Sequence, residues 1–144
     1  MAALPVAAAQ DTGTLGVTAT VASNCAVAGG TLNFGTYTSG QNADLDAQTT
    51  ISYTNCAGTL TFELDGGASQ DEAARTMVSG TNALNYQLFR DSGYSQIFGS
   101  GGNSYELQLF VPFSGEIDVF GRIPGGQAVP IGDYADTVTI TLTF

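Results

Sequence analysis

The sequence contains no histidine, no lysine and no tryptophan, and charged side chains make up only 11% of its 144 residues. Three arginines stand against thirteen acidic residues, so the formal net charge at pH 7 is −10. A chain this acidic has no basic surface with which to neutralise phosphates, which excludes nucleic-acid binding and disfavours docking on anionic membranes. Without histidine, Ser-His-Asp triads, Cys-His pairs and imidazole metal sites are excluded together.

Long apolar runs are also missing. No segment approaches the roughly 18 residues that a membrane-spanning helix needs, so we expect no direct membrane insertion. The length predicts one domain, and a hydrophobic share of 43% is that of an ordinary folded protein. Residues 1–9 are uncharged and place Ala7 and Ala9 like the A-x-A of a signal-peptidase site. A complete leader is longer and has a basic start, so we interpret residues 1–9 as a signal-peptide remnant, with an unstructured extension as the alternative.

Cys25 and Cys56 are the only cysteines, and 31 positions separate them. An even pair in an exported chain favours one disulfide. Closing that loop would stabilise the fold by roughly 3–4 kcal/mol in the chain-entropy model. A redox motif or a zinc site needs closer spacing or more ligands. Two unpaired buried thiols remain the alternative.

Hydrophobicity with a period of two, the pattern of a half-buried strand, is clearest near the two ends of the sequence. One face of residues 12–22 is apolar and the other is threonine and glycine; the apolar positions are Leu15, Val17, Ala19 and Val21. At the other end, threonines alternate with four apolar residues, which are Val138, Ile140, Leu142 and Phe144. Both segments are therefore predicted to be strands.

Six further strands are predicted between glycine-rich turns, at residues 31–36, 49–55, 58–64, 84–90, 105–111 and 116–122. Only residues 70–77 have helix-forming composition, and at that length they form at most a turn or two. Seven or eight short strands, frequent turns and one disulfide indicate an all-β fold, a β-sandwich of the immunoglobulin type.

The two terminal strands are unusual for a complete sandwich. The last strand runs to Phe144 with nothing after it to pair with its outer edge, and no lysine, proline or bulge protects that edge from aggregation. The first strand precedes Cys25 and a glycine pair, so it is separable from the body. We expect a strand of another chain to cover the exposed edge, and residues 12–22 have the length and alternation to supply it.

The C-terminal third carries the clearest likeness to a known family. Residues 121–127 read Gly-Arg-Ile-Pro-Gly-Gly-Gln, residues 130–134 read Pro-Ile-Gly-Asp-Tyr, and residues 136–142 read Asp-Thr-Val-Thr-Ile-Thr-Leu. With the Leu-Asn-Phe-Gly of residues 32–35 and the Leu-Asn-Tyr-Gln-Leu-Phe-Arg-Asp of residues 84–91, this ending resembles the spore coat U (SCPU) domain. That domain forms the pilins of archaic (Csu-type) chaperone–usher pili. The family usually has Trp-Gly after the second of these strands, where Phe98-Gly99 stands here. The likeness covers residues 12–144.

The resemblance implies an incomplete immunoglobulin-like sandwich, in which a six-stranded pilin body of residues 23–144 is completed by a donor strand from the neighbouring subunit. Residues 10–22 would be the donor strand, with four side chains facing inward: Leu15, Val17, Ala19 and Val21. The last strand would form one wall of the acceptor groove and the chaperone contact, through Val138, Ile140, Leu142 and Phe144.

The resemblance also implies partners and a role. The expected partners are identical subunits in a linear fibre, a periplasmic pilus chaperone and an outer-membrane usher. The expected location is a cell-surface pilus, reached by export through the periplasm. Because a tip adhesin of this pathway carries an additional receptor-binding domain, we expect this chain to be the major pilin of the shaft, serving surface attachment and biofilm formation.

No catalytic constellation emerges, so no enzyme activity, cofactor or metal is predicted. Asp44 and Asp46 lack the further ligands of a calcium loop, and Glu116 and Asp118 lack any second sign of a glycosidase pair. Both pairs are interpreted as solvated. The tyrosines are assigned to core and edge packing, with a sugar-binding platform as the alternative. The rival function is therefore a monomeric secreted β-sandwich module that binds carbohydrates or surfaces.

Overall fold

The computed structural model describes residues 2–4, 8–22 and 24–144, and the regular structure of this part is almost entirely β, which confirms the all-β prediction. Its seven strands are β1 (Ala26–Ala28), β2 (Leu45–Leu64), β3 (Thr76–Ser79), β4 (Asn82–Asn85), β5 (Gln87–Phe89), β6 (Tyr105–Ile123) and β7 (Ile140–Thr143). Two one-turn 3-10 helices lie at Gly67–Ser69 and Gly101–Asn103. Within the described ranges, no helix has the length and hydropathy to cross a membrane.

The long strands β2 and β6 pair antiparallel along most of their length. The sequence pattern predicts four separate strands here, and this is wrong, because residues 49–55 and 58–64 lie in β2, and residues 105–111 and 116–122 lie in β6. The expected break in β2 is instead an irregularity of the ladder, where Asn55 and Gly58 adopt φ values of 53° and 85° and the register shifts. A bulge of this kind bends a strand without ending it.

The bulge divides β2 into two halves that use different partners. The first half pairs with β1 through residues 52–54, and the second half pairs with β7 through residues 61–64. β5 pairs with the far edge of β6 at residues 120–122. Both halves of β2 contribute to one hydrophobic core, and the ring centroids of Tyr53 and Phe62 lie 5.8 Å apart across the bulge. The sheet therefore curves around a single core.

Residues 70–77, the segment with helix-forming composition, form a turn and then a strand. The Ala74 amide donates to the Asp71 carbonyl, and Thr76 begins the β3–β4 hairpin, which turns at Gly80 with φ of 61°. The predicted strand 84–90 is likewise divided at Tyr86, because β4 belongs to this hairpin and β5 to the main sheet. Local composition did not indicate either division.

The path of the chain there is set by Arg75, whose side chain enters the core and is only 1% exposed. Its guanidinium donates to the carbonyl oxygens of Leu64, Asp65 and Phe98 at 2.7–3.1 Å, and to Gln87 Oε1 at 2.7 Å. Burial lowers its pKa, but an arginine remains charged. These bonds satisfy backbone acceptors in the core and tie the end of β2 to β5.

Candidate functional site

An open groove lies over the hydrophobic core. We call residues 30–34 its first wall and residues 134–140 its second wall. The floor consists of core side chains, namely Ile51, Leu64, Met77, Leu88 and Val119. The groove is open to solvent and has a volume of about 460 Å³, although four of its floor residues are at most 6% exposed. The chain by itself therefore leaves an open cleft over its core.

The first wall has the side-chain pattern of a strand but lacks a hydrogen-bonded neighbour. Leu32 and Phe34 are half-buried against the core, while Thr31 and Asn33 are exposed. Among the described residues, no backbone–backbone hydrogen bond involves residues 31–37. The prediction of a paired strand at residues 31–36 is thus wrong for the single chain, because the alternation is present and the partner is not.

Glycines fix the position of the first wall. A Cβ atom at Gly121 of β6 would lie 2.5 Å from Leu32 Cδ2 and 2.8 Å from Phe34 Cζ, so only glycine lets these side chains pack directly on β6. Gly35, with φ of 80°, ends the wall, and its amide donates to Asn33 Oδ1 at 2.9 Å. The wall is therefore held by side chains and one local turn.

The second wall is paired along one edge only. Ala135 exchanges two backbone hydrogen bonds with Val78, and the Thr139 carbonyl accepts from the Asp65 amide at 3.1 Å. Asp136 and Val138 make no backbone–backbone hydrogen bond with any described residue. Since alternate residues of a strand direct their backbone groups to opposite edges, the edge facing the groove is unpaired.

One polar contact lies within the groove. The Tyr86 hydroxyl donates to Asp136 Oδ2 at 2.5 Å, and Asp136 Oδ1 accepts from the amides of Ala68 and Thr137 at 2.9 Å. Burial, together with the hydrogen bond to Asp136, raises the pKa of Tyr86 well above its ordinary value of 10.0. Both oxygens of this carboxylate accept hydrogen bonds from the protein, so Asp136 holds the second wall against Tyr86 and is not a free acid.

The four residues assigned to the last strand lie in different environments. Val138 and Ile140 are half-buried and line the groove. Leu142 pairs with Phe62 and packs on the core without lining the groove. Phe144 follows β7 and is 62% exposed. The paired part of this strand is only Ile140–Thr143, so its ladder is shorter than the alternation predicts.

The predicted donor segment, residues 10–22, lies outside the fold. It has no secondary structure, and all of its residues are exposed. Leu15, Val17 and Val21 are 87%, 83% and 96% exposed, and Ala19 is exposed too. The predicted strand at residues 12–22 is thus absent from the single chain, because a strand needs a neighbour to satisfy its backbone.

The predicted disulfide between Cys25 and Cys56 is present. It joins the residue before β1 to the bulge of β2, where Cys56 is fully buried and lies opposite Phe113 of β6. The predicted donor segment therefore ends only three positions before a covalent anchor in the body.

The two acidic pairs lie outside the groove. Arg122 Nε lies 2.7 Å from Asp46 and 3.5 Å from Asp44. The hydrogen bond to Arg122 lowers the pKa of Asp46 and raises that of Arg122. Glu116 and Asp118 are exposed on β6. These carboxylates neutralise an arginine or contact solvent.

Sequence reasoning missed two parts of the site. It assigned residues 31–36 to an ordinary strand, although the same alternation, with no partner segment left over, could have indicated the first wall of a groove. It also gave no role to Tyr86 and Asp136, whose contact spans 50 positions in the sequence and has no local signal.

Comparisons with known proteins agree with this geometry. The Spore Coat Protein U domain model matches residues 11–141. "Protein U" of Myxococcus xanthus is 33% identical over 163 aligned residues, which cover 97% of this chain and 88% of that protein.

Two solved structures share the fold. One is a chain of the CsuC–CsuE chaperone–tip adhesion subunit pre-assembly complex from archaic chaperone-usher Csu pili of Acinetobacter baumannii (TM-score 0.60, 22% identity). The match covers 87% of this chain and 41% of that one. The other is a chaperone–usher pilus structure that describes rod uncoiling (TM-score 0.58, 14% identity), where the match covers 97% of this chain and 99% of that one. The fold is thus that of chaperone–usher pilus proteins, and the chain belongs to the Spore Coat Protein U domain family.

Proposed function

We propose that this chain is the major structural subunit of an archaic chaperone–usher pilus and polymerises by donor-strand exchange. The observation that carries the proposal is the pairing of two incomplete parts in one molecule. A groove of about 460 Å³ has unpaired backbone on both walls, and an exposed segment with strand alternation has no fold of its own. Each part supplies what the other lacks.

The donor segment fits the groove in length and polarity. Leu15 to Val21 and Tyr134 to Ile140 are both seven residues long, and in both the inward positions alternate with threonine, glycine or alanine. Insertion buries Leu15, Val17 and Val21, each worth roughly 1.5–3 kcal/mol. The added backbone ladder contributes on the order of 1 kcal/mol per hydrogen bond. Main-chain bonds then give affinity, and side-chain pockets give specificity.

The orientation of the inserted strand follows from the rest of the sheet. All strand pairs in the described part of the chain are antiparallel, and antiparallel ladders are the stronger kind. The second wall leads directly into β7, which is a regular strand, so we infer that the donor segment aligns antiparallel to it. The donor segment then runs parallel to the first wall, whose direction is opposite to that of the second. Val21 then lies beside Tyr134, and Leu15 lies beside Ile140.

In this orientation the donor segment cannot fill the groove of its own chain. Val21 is four residues from Cys25, a reach of at most about 14 Å. From Ala28, which lies opposite Ser52, the chain continues along β2 through the first wall to Phe34, which packs on Gly121, the partner of Ala47. Cys25 is therefore about 25–30 Å from the end of the groove near Phe34 and Tyr134, at roughly 3.3 Å per residue. Insertion of the donor segment therefore joins two different chains, and repetition of this contact from subunit to subunit gives an open fibre.

Before assembly, the unpaired edges need a temporary cover, because exposed strand edges aggregate. A periplasmic chaperone that lends a strand to the groove, and an outer-membrane usher that exchanges it for the next donor segment, meet this need. The proposed location is therefore a cell-surface pilus reached through the periplasm, with roles in attachment and biofilm formation. Both solved neighbours come from chaperone–usher systems, which supports this assignment.

A self-complemented fusion tests the proposal. Residues 10–22 are deleted, and a copy of residues 12–21 is attached after Phe144 through a short flexible linker, so that it returns antiparallel along β7. We expect a soluble monomer that folds without a chaperone and melts at a strongly raised temperature. The matched control carries aspartate in place of Val17 in the attached copy and should not be stabilised. If both fusions behave alike, or if the unmodified chain is a heat-stable monomer that forms no fibres, a monomeric binding module is the better assignment.

A further inference from the structure

An exposed apolar tip lies where the ladder between β2 and β6 is interrupted. The apolar tip is the run Phe110–Phe113, whose sequence is Phe-Val-Pro-Phe. Phe110 is 90% exposed, and Val111 and Phe113 are also largely exposed. The described register pairs Leu109 and Phe113 with β2 and gives no partner to residues 110–112. Consecutive large apolar side chains held in solvent indicate an interaction surface.

The apolar tip lies beside the anchor of the donor segment. Phe113 is opposite Cys56, and Cys56 is bonded to Cys25. Four residue steps separate Cys25 from Val21, so the two lie at most about 14 Å apart. When Val21 is seated in a neighbouring subunit, the end of that neighbour's groove must therefore come within this distance of the disulfide. The apolar tip is thus brought close to the neighbour by chain length alone.

A second exposed apolar residue lies at that end of the groove. Ile131 is fully exposed, three positions before Tyr134. Three hydrogen bonds hold its loop in place. The Tyr134 hydroxyl donates to the Pro130 carbonyl at 2.7 Å. Ser39 Oγ donates to the Val129 carbonyl at 2.7 Å and accepts from the Val129 amide at 2.9 Å. The side chain of Ile131 is therefore held in solvent by a fixed loop and buries no surface against the described part of the chain.

We propose that the apolar tip of one subunit packs on the Pro130–Ile131 loop of the subunit whose groove holds its donor segment. This inference rests on the proposed function and on the antiparallel orientation of the donor segment. The contact would join successive subunits at a second point beside the inserted strand. It would thereby fix the angle between them, because two separate points of attachment restrict rotation more than one does.

Engineered cysteines test the contact in assembled fibres. The Phe110→Cys, Ile131→Cys double variant is polymerised and mildly oxidised, and denatured samples are separated without reductant. We expect a ladder of covalent multimers. The matched control is Phe110→Cys with Thr141→Cys, which places the second thiol near the opposite end of the groove, and we expect no ladder from it. Single variants should give dimers at most.

The outcomes separate the two proposals. Fibres that give no ladder with Ile131→Cys, or that give one with Thr141→Cys, overturn the contact and leave donor-strand exchange intact. A wild-type chain that forms no fibres overturns both. As a second measurement, Phe110→Lys and Ile131→Glu should each reduce the fibre persistence length at least twofold. The double variant should restore the wild-type persistence length, because the two new charges attract each other. A persistence length that responds to neither single change also overturns the contact.

Discussion

Replacing Val17 with aspartate places a carboxylate at the middle of the donor segment, where the proposed mechanism requires an apolar side chain. Val17 is 83% exposed before insertion, so its burial contributes about 1.5–3 kcal/mol, which the substitution removes. An unpaired carboxylate adds a desolvation cost of several kcal/mol. None of the described residues that line the groove is an arginine, and Asp136 is already there, so the new charge meets one like charge and no opposite one.

The combined effect is roughly 5 kcal/mol or more, which corresponds to three or more powers of ten in the equilibrium constant for insertion. Val17→Asp should therefore still be recovered as a folded complex with its chaperone, but it should not polymerise. Thr18→Asp is the matched control, because a one-residue step in a strand reverses the side-chain direction. Polymerisation is followed by electron microscopy and by multimers that resist denaturation without heating. Fibres of Val17→Asp at wild-type yield would refute the reasoning, and so would equal inhibition by the two variants.

Three further predictions concern the body of the subunit. Cys56→Ser should lower the free energy of unfolding by roughly 2–5 kcal/mol and sharply reduce periplasmic yield; an unchanged urea midpoint in the self-complemented monomer would contradict this. Tyr86→Phe should cost about 1.5–3 kcal/mol at pH 7, because it removes a hydrogen bond to a carboxylate. Since folding raises the pKa of Tyr86, its contribution is complete below pH 10 and is lost at higher pH, so urea midpoints from pH 8 to 11.5 should fall less steeply for the variant than for the wild type. Deleting Thr143 and Phe144 shortens the ladder of β7 with β2 and should abolish co-purification with the chaperone, whereas Thr143→Ala should not; undiminished recovery of the deletion variant would argue against β7 as the chaperone contact.

The alternating patterns were the most informative part of the sequence. The period of two around Val17 and around Val138 marks residues that need a buried face, and the structure shows one such segment without a partner and the other beside an open groove. Periodicity identifies the face of a strand that must be buried, but it does not indicate whether the same chain or another chain buries it. The unpaired backbone edges of the groove carry that information, and they become visible only in the folded structure.

The divisions between strands were predicted less well. The pattern predicts a break between residues 55 and 58, but the two halves of β2 stay in one ladder because a bulge absorbs the irregularity. Residues 70–77 have helical composition, yet the buried guanidinium of Arg75 satisfies carbonyls of two other segments, at Leu64–Asp65 and at Phe98, and sets the local path. In both places long-range contacts outweigh local propensity, and no local pattern in the sequence contains them.

The disulfide also decides how a fibre would carry tension. A pull on the donor segment enters the body at Cys25, and β1 beyond it has only three residues in its ladder, too few to resist peeling. The covalent bond diverts the load to Cys56, in the interior of the twenty-residue strand β2, whose ladder with β6 runs along both sides of that point. Force applied along such a strand must shear many backbone hydrogen bonds together instead of opening them one at a time. An oxidised subunit would therefore stretch as a unit, whereas a reduced one would begin to unravel from β1.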